Sequence, residues 1–324
     1  MKTNLMTILG TTMVATACSA GPVKNERGPA TEPKILTFAS DANGFDTKNF
    51  FYDNGQEVVV FDTQFTPELA RKSLEAIRAK TRNPITYVVV THPNPDKFNG
   101  MSVFQAEGAK VVMSRATAES LEGVHAYKKY FFVNIAKMFT EETYPKLGKA
   151  DLVFEKDLDL ELANGETIRL QELASPGVSS NQTVALVSRM NALMVGDLVH
   201  HKAHAWLEGG IVAGKTQPTI RGWIGDLREL EQRFGRTNPT VFGGRGESAK
   251  LGDAVKAQVS YLEKADRLVE RYVKSLGARA TELSGEKAGE HHKAIQTQME
   301  KAFPDYGLGY MIQYGVYGLV NSKL

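Results

Sequence analysis

The sequence predicts an α/β fold that ends in a helical extension. Three observations lead there. Between residues 85 and 113 two β-branched apolar runs flank a short helical stretch, an alternation that implies parallel strands. Asn54-Gly55 and Asn164-Gly165 stand between apolar or alternating segments and predict antiparallel hairpins. Beyond Ser248 the apolar period lengthens to that of long helices.

Taken in order, Ile35 to Ala39 is the first predicted strand, and Phe50 to Phe61 a hairpin broken at Asp53-Asn54-Gly55, with Asp62 closing its second strand. Thr66 and Pro67 are an N-cap and a first helical residue. Leu69, Ala70, Leu74 and Ile77 then keep one apolar face until Asn83-Pro84 stops the helix. Ile85 to Val90 is continuously apolar, as a strand buried on both faces would be, and a polar loop runs from Thr91 to Gly100. A short helix at Val103 to Ala106, a strand at Ala109 to Met113 and a long helix from Thr117 to about Phe139 follow; His125 within that helix reads as structural.

Leu158 to Leu162 alternates with period two and Thr167 to Leu170 returns from the Asn-Gly turn. After the Ser175-Pro176-Gly177 loop, Thr183 to Val187 and Ala192 to Val195 form another strand pair that runs into Gly196-Asp197. Trp223, Leu227, Leu230 and Phe234 mark a helix, and Thr240 to Phe242 a short strand ending in Gly243-Gly244-Arg245-Gly246. A long helix spans Leu251 to Leu276, and a second one runs to about Phe303 after a polar break at Gly277 to Gly289. Tyr306 to Val320 is rich in aromatics whose spacing suits packing against the body or against a second copy of the chain, which would make a homo-oligomer. The β, β, helix order recurs in both halves without a repeat of fixed period.

Composition sets further bounds. The 324 residues are 42% hydrophobic and 23% charged, with a formal charge of +2. That balance is ordinary for a globular protein, and neither the charge nor any basic stripe points to nucleic acid. No apolar run reaches the roughly 20 residues needed to span a membrane. The N-terminus departs from this composition. Met1-Lys2 is a short positive start, Leu5 to Ala17 is mostly apolar and small, and Cys18, the single cysteine, follows Ala15-Thr16-Ala17. This is a secretory signal pattern. It resembles a bacterial lipoprotein signal, which implies a lipidated Cys18, a periplasmic protein and, from Ser19, sorting to the outer membrane. Gly21 to Pro33 has the Pro- and Gly-rich composition of a tether. The expected organisation is a signal at 1–18, a tether at 19–34, an α/β domain at 35–248 and helices at 249–324.

The loop Thr91-His92-Pro93-Asn94-Pro95-Asp96-Lys97-Phe98-Asn99-Gly100 sits at the carboxyl end of a core strand, where open α/β sheets place ligands. It resembles the T-H-x-H-x-D-H-x-x-G motif of the metallo-β-lactamase-fold hydrolases. Four further landmarks follow that family's order: the strand ending at Asp62, Pro176-Gly177, Gly196-Asp197-Leu198, and Gly243-Gly244-Arg245-Gly246. The resemblance covers roughly residues 35 to 248 and implies an αββα sandwich, two mixed sheets face to face with helices outside and the active site along one edge.

In that family histidines and aspartates hold two zinc ions. Carried over position by position, His92, Asp96 and Asp197 match, whereas Asn94, Lys97, Val178 and Arg245 stand where the family has histidines. Valine has no donor, and a protonated Lys or Arg repels a dication. The expectation is therefore no metal, or a single weakly bound ion such as zinc, at His92, Asp96 and Asp197. Without dications the two carboxylates need partners, and Lys97 and Arg245 are placed to supply them. Of the three histidines after Asp197, which precede Trp206 and Glu208, His200 and His201 read as solvated and His204 as a candidate for the pocket wall. His291-His292 reads as surface. Ser179 and its neighbours Ser180 and Asn181 either contact a ligand or cap a turn.

Two functions fit these residues. One is a hydrolase acting through one metal, or through His92 as general base with Asp96 orienting it and Asp197 in the same site. The other is a pseudoenzyme whose old cleft binds a small molecule or protein partner, with Asn94, Lys97, His204, Arg245 and Ser179 in contact with the ligand and the two cations favouring an anion.

Overall fold

The computed structural model describes residues 32–217 and 219–324. The leader, Cys18 and most of the tether expected from the sequence lie outside the described residues. The chain forms two six-stranded sheets. The first is built in simple order from β1 (Lys34–Ala39), β2 (Lys48–Asp53), β3 (Val58–Phe61), β4 (Ile85–Val89), β5 (Lys110–Ser114) and β6 (Leu152–Phe154). Strands β1, β2 and β3 are antiparallel neighbours, and β3 to β6 pair in parallel. The crossovers are α1 (Pro67–Arg78), the short α2 (Pro95–Phe98) with α3 (Met101–Ala106), and α4 (Arg115–Tyr130). The second sheet contains β7 (Asp157–Glu161), β8 (Thr167–Glu172), β9 (Thr183–Val187) and β10 (Ala192–His201), which are antiparallel in turn. A small ribbon of β11 (Gly210–Val212) and β12 (Lys215–Gln217) and helix α5 (Ile220–Phe234) precede β13 (Thr240–Gly246), which joins β10 in parallel, and β14 (Ala249–Lys250). Four helices complete the chain: α6 (Leu251–Leu276), α7 (Ala288–Ala302), α8 (Tyr310–Gly315) and α9 (Tyr317–Asn321).

The period of two in the strands explains the layering. In β3, Val59 and Phe61 face the second sheet, where they pack with Ile168, Leu170, Ala185 and Met194. Val58 and Val60 face the other way, onto Ile77 of α1 and Phe104 of α3. All four are buried, which is why this strand is continuously apolar rather than alternating. The outer face of the second sheet takes Trp223, Leu227 and Leu230 of α5 and Val255 and Leu262 of α6. Helix, sheet, sheet and helix layers follow, an αββα sandwich with a C-terminal helical region. Each fully buried large apolar side chain contributes about 1.5–3 kcal/mol.

Helix α1 begins as its sequence predicts, with Thr66 Oγ1 accepting from the Leu69 amide at 3.2 Å and Pro67 in the first turn. The helix expected over 117–139 instead ends at Tyr130 and widens into a single π turn, Phe131–Ile135. The wider turn lets Phe132 pack inward on Phe45, Phe65 and Tyr144. Strand β10 runs well past its predicted end at Val195. Among the described residues no helix is long and apolar enough to cross a membrane.

The C-terminal helices clasp the second sheet's edge loop. Gly307 exchanges hydrogen bonds with Lys202 and His204 at 3.0 and 2.9 Å, and Leu319 donates to the Leu207 carbonyl at 3.1 Å. Gly318 packs on the Glu208 backbone so closely that a Cβ would overlap it.

Candidate functional site

The carboxyl ends of β3, β4, β10 and β13 converge at one edge of the sandwich. Asp62, in a left-handed conformation (φ 63°), accepts from the Thr91 amide at 2.9 Å and from Thr91 Oγ1 at 2.9 and 3.0 Å. The Thr91 hydroxyl lies 2.9 Å from His92 Nδ1 and so fixes that ring. Pro95 opens the helical turn α2, which carries Asp96 and Lys97 inward. On the other sheet, Gly196 (φ 51°) breaks the register between β10 and β13 and passes Thr91 so closely that a side chain would collide with its hydroxyl. Asp197 follows. Gly244 plays the matching part on β13, because a Cβ there would overlap Asp197 and Lys97.

Four charges meet in this space. Lys97 Nζ lies 2.8 Å from Asp197 Oδ1 and 2.9 Å from Asp96 Oδ2. Arg245 Nη1 lies 2.5 Å from Asp197 Oδ2 and Nη2 lies 3.0 Å from Asp96 Oδ2. Two further guanidinium donors are satisfied: Nε donates to the Phe45 carbonyl at 2.7 Å and Nη2 to Thr47 Oγ1 at 2.8 Å. The Thr47 hydroxyl in turn donates to Asp96 at 3.0 Å. Lys97 is fully buried and the other three are at most 6% exposed. Charges taken this far from water persist only when paired, and here two cations meet two anions.

The titration behaviour follows. Burial alone would raise Asp96 and Asp197, but Lys97 and Arg245 outweigh it, holding Asp96 below the ordinary carboxylate range and Asp197 well below it. Burial opposes the charge on Lys97 too, yet Asp197 and Asp96 push its pKa up. His92 is depressed to about 4 by burial, against the pull of Asp197, and is neutral. Its Nε2 lies 3.8 Å from Asp197 Oδ2 and makes no hydrogen bond. Burial raises Asp62 to about 7, against the opposing effects of Lys97 and Thr91.

This donor set does not fit the family's zinc ions. Both oxygens of Asp197 accept from cations, Asp96 Oδ2 accepts from Lys97, Arg245 and Thr47, and the Lys97 ammonium fills the space between the carboxylates. Among the described residues no group of three or more His, Cys, Asp or Glu side chains is arranged to hold a metal ion.

A narrow cleft of about 30 Å³ opens onto this centre. Asn94, Asp96, Asp197 and Arg245 line its floor, while Phe45, Phe132 and Trp206 form its walls. Lys128 completes one side. It is buried against Glu208, with which it forms an ion pair, and its Nζ lies 5.2 Å from the Trp206 ring. Trp206 Nε1 donates to the same Glu208 carboxylate at 2.8 Å. The sequence signal for Lys128 was its spacing: with Leu121 and Val124 it completes an i, i+3, i+7 row on the buried face of α4. Thr47 and Phe45 carry no comparable signal.

The structure thus brings His92, Asn94, Asp96, Lys97, Asp197 and Arg245 together. Two of the expected site residues lie elsewhere. His204 is fully buried beneath the C-terminal helices, where its Nδ1 lies 3.3 Å from the Tyr261 hydroxyl and its ring packs on Tyr306. Ser179 is buried in the loop behind Gly210 and does not line the cleft. Asp96 does not orient His92; Thr91 does. His200, read as solvated, is 1% exposed; its amide donates to Gln258 at 3.0 Å, its ring packs near Trp223, and burial depresses its pKa to about 3. His291 is also buried, between the Tyr272 hydroxyl and Glu282. His125 is structural, held by the Pro145 carbonyl at 2.8 Å.

Residues 43–245 match the family described as the metallo-beta-lactamase superfamily. The chain belongs to that superfamily. A metallo-β-lactamase from Pontibacter korlensis has the same fold, with a TM-score of 0.53 and 18% identity over 72% of this chain and 99% of its own. The metallo-β-lactamase FIM-1 from Pseudomonas aeruginosa, solved in a mono-zinc form, gives a TM-score of 0.52 and 14% identity over 73% of this chain and 98% of its own. At such identities the likeness is one of fold. Among curated protein sequences nothing matches. The superfamily match ends at Arg245, before α6, α7, α8 and α9.

Proposed function

We propose that this superfamily member has replaced the family's metal centre with a buried ion-pair square and serves as a ligand-binding protein rather than a zinc hydrolase. The observation that carries the reading is Lys97, whose ammonium sits within 2.9 Å of both Asp96 and Asp197. A dication in its place would need those carboxylates free and Lys97 displaced. The competing reading, hydrolysis with His92 as general base, finds little support. His92 is fully buried, has no carboxylate orienting it and does not line the cleft. The site sums to no net charge, so the ligand recognised at the cleft floor is neutral and hydrogen-bonding, with Asn94 the accessible amide, rather than the anion that Lys97 and Arg245 suggest when counted alone.

The same proposal includes an exported, lipid-anchored chain, with the signal at 1–18, the tether at 19–34, the domain at 35–248 and the helical extension at 249–324. Support comes from the leader's composition and from Cys18 being the single cysteine. Radiolabelled palmitate incorporated by the full chain and lost in Cys18→Ser tests the anchor.

Metal analysis of protein purified without a His-tag tests the central claim. The expected result is a folded protein without stoichiometric zinc, iron or manganese, whose unfolding midpoint does not move when zinc is added. One tightly retained equivalent would overturn the reading.

A further inference from the structure

A second, larger cavity lies in front of the cleft, with a volume of about 370 Å³. We propose that it binds a small, planar, uncharged molecule. Its size falls in the range of roughly 300–1,000 Å³ typical of small-molecule sites. Phe131, Phe132 and Met138 line one side and Tyr310 and Tyr314 the other, with Phe45 and Trp206 between them. The last two rings meet edge to face at 5.7 Å and 79°, which leaves ring faces and edges for an aromatic guest to pack against.

Charge argues for the same class of ligand. Among the described residues no Asp, Glu, Lys, Arg or His lines this cavity, and its polar side-chain groups are the Asn43 amide, the Trp206 indole N–H and the tyrosine hydroxyls. The Tyr310 hydroxyl already donates to Asp46 at 2.6 Å, which leaves it an acceptor for the guest. A charged ligand would lose its hydration here without gaining a counter-ion.

Two further features mark the cavity as a built one. Its rim keeps Met138 at 44% and Tyr314 at 46% exposure, with Tyr130 and Ile135 nearby at more than 60%, an apolar surface that costs solubility unless it is used. Its inner side is made by the π turn Phe131–Ile135, a rare backbone form often found at functional sites. Tyr310 and Tyr314 lie beyond the superfamily match, so the cavity is an addition of this chain's C-terminal helices. The inference stands on the cavity alone and holds whatever metal analysis finds at the ion-pair centre.

Titration of the full chain with N-phenyl-1-naphthylamine, a neutral fluorophore built of planar aromatic rings, tests it. Trp206 at the floor serves as the energy-transfer donor; the other tryptophan, Trp223, is buried behind the second sheet. The expected result is saturable binding at one probe per chain, weakened at least tenfold by Met138→Glu and by Tyr314→Glu, since each places a charge at the mouth. Both positions are exposed, so circular dichroism and urea midpoints should match the parent. Non-saturating partition, or saturable binding that neither substitution weakens, would overturn the proposal. So would a stable dimer, seen by sedimentation, that excludes the probe and is abolished by the same substitutions.

Discussion

The Lys97 ammonium reaches Asp197 at 2.8 Å across the seam between the two sheets. Lys97 follows β4 of the first sheet and Asp197 lies on β10 of the second. The pair therefore extends the contact between the layers past the point where their apolar residues end. Arg245 repeats the bridge in the opposite sense, from β13 to Asp96. Such pairs hold geometry more than they add stability, because desolvation offsets most of the attraction, yet removing one member leaves a buried charge alone.

Arg245→Ala should accordingly destabilise the protein by about 3 kcal/mol. Urea unfolding measures this, and a change within error would count against the network. Arg245→Lys should recover little, since one ammonium cannot span Phe45, Thr47, Asp96 and Asp197 together.

Lys97→Met and Asp197→Asn should not be additive. Either alone strands a charge, whereas the double variant replaces a paired buried ion pair with neutral groups. The double-mutant cycle should give an interaction energy of roughly 0.5–3 kcal/mol, with the double variant more stable than the sum of the singles. Simple additivity would mean that the two do not form a pair in solution.

Burial gives opposite pH dependences at His200 and Asp62. His200 titrates near 6.5 when unfolded and at about 3 when folded, so its buried neutral form is disfavoured relative to the unfolded chain as pH falls below 6.5. The cost of His200→Gln should therefore shrink with acid, by up to about 1.4 kcal/mol per pH unit. Asp62 is raised from 3.8 to about 7, so the stability its proton contributes is full below pH 3.8 and lost as pH rises through 7. The cost of Asp62→Asn should shrink toward alkaline pH instead. Urea midpoints of both variants against the parent, from pH 5 to 8, would show slopes of opposite sign; parallel curves would refute the assignment.

Gly318→Ala should cost about 1–3 kcal/mol by overpacking, because the added methyl meets the Glu208 carbonyl. Gly289→Ala on α7, where the added methyl meets open space, serves as the control and should be neutral or stabilising in the same thermal melt.

Much of the fold was legible because its signals are local. The Asn164-Gly165 turn, the Pro67 helix start and the unbroken apolar run of β4 each depend on a few adjacent residues. The ion-pair square was legible for a different reason: Asp96, Lys97, Asp197 and Arg245 stand at landmarks whose convergence the resemblance implies, and charge balance then pairs them. The rest depends on partners far away in the chain. His204 reads as a candidate for the pocket wall until Tyr261 and Tyr306 are seen around it. The spacing of Lys128 puts it on the apolar face of its helix, but its partner Glu208 lies 80 residues on and only the fold brings them together. The larger cavity draws on residues from 42 to 314 and has no local signature at all.

The clasp between the C-terminal helices and residues 202–208 also sets an order of assembly. Tyr310 closes on Asp46 across 264 residues, and contacts of such separation form late because the loop entropy must be met first. The sandwich can complete its sheets while this side is still open, and the wall that arrives last is held by few backbone hydrogen bonds. Tyr310 and Tyr314 stand on this side, so brief release of the clasp, with both sheets intact, would widen the already exposed mouth of the cavity in front of the ion pairs.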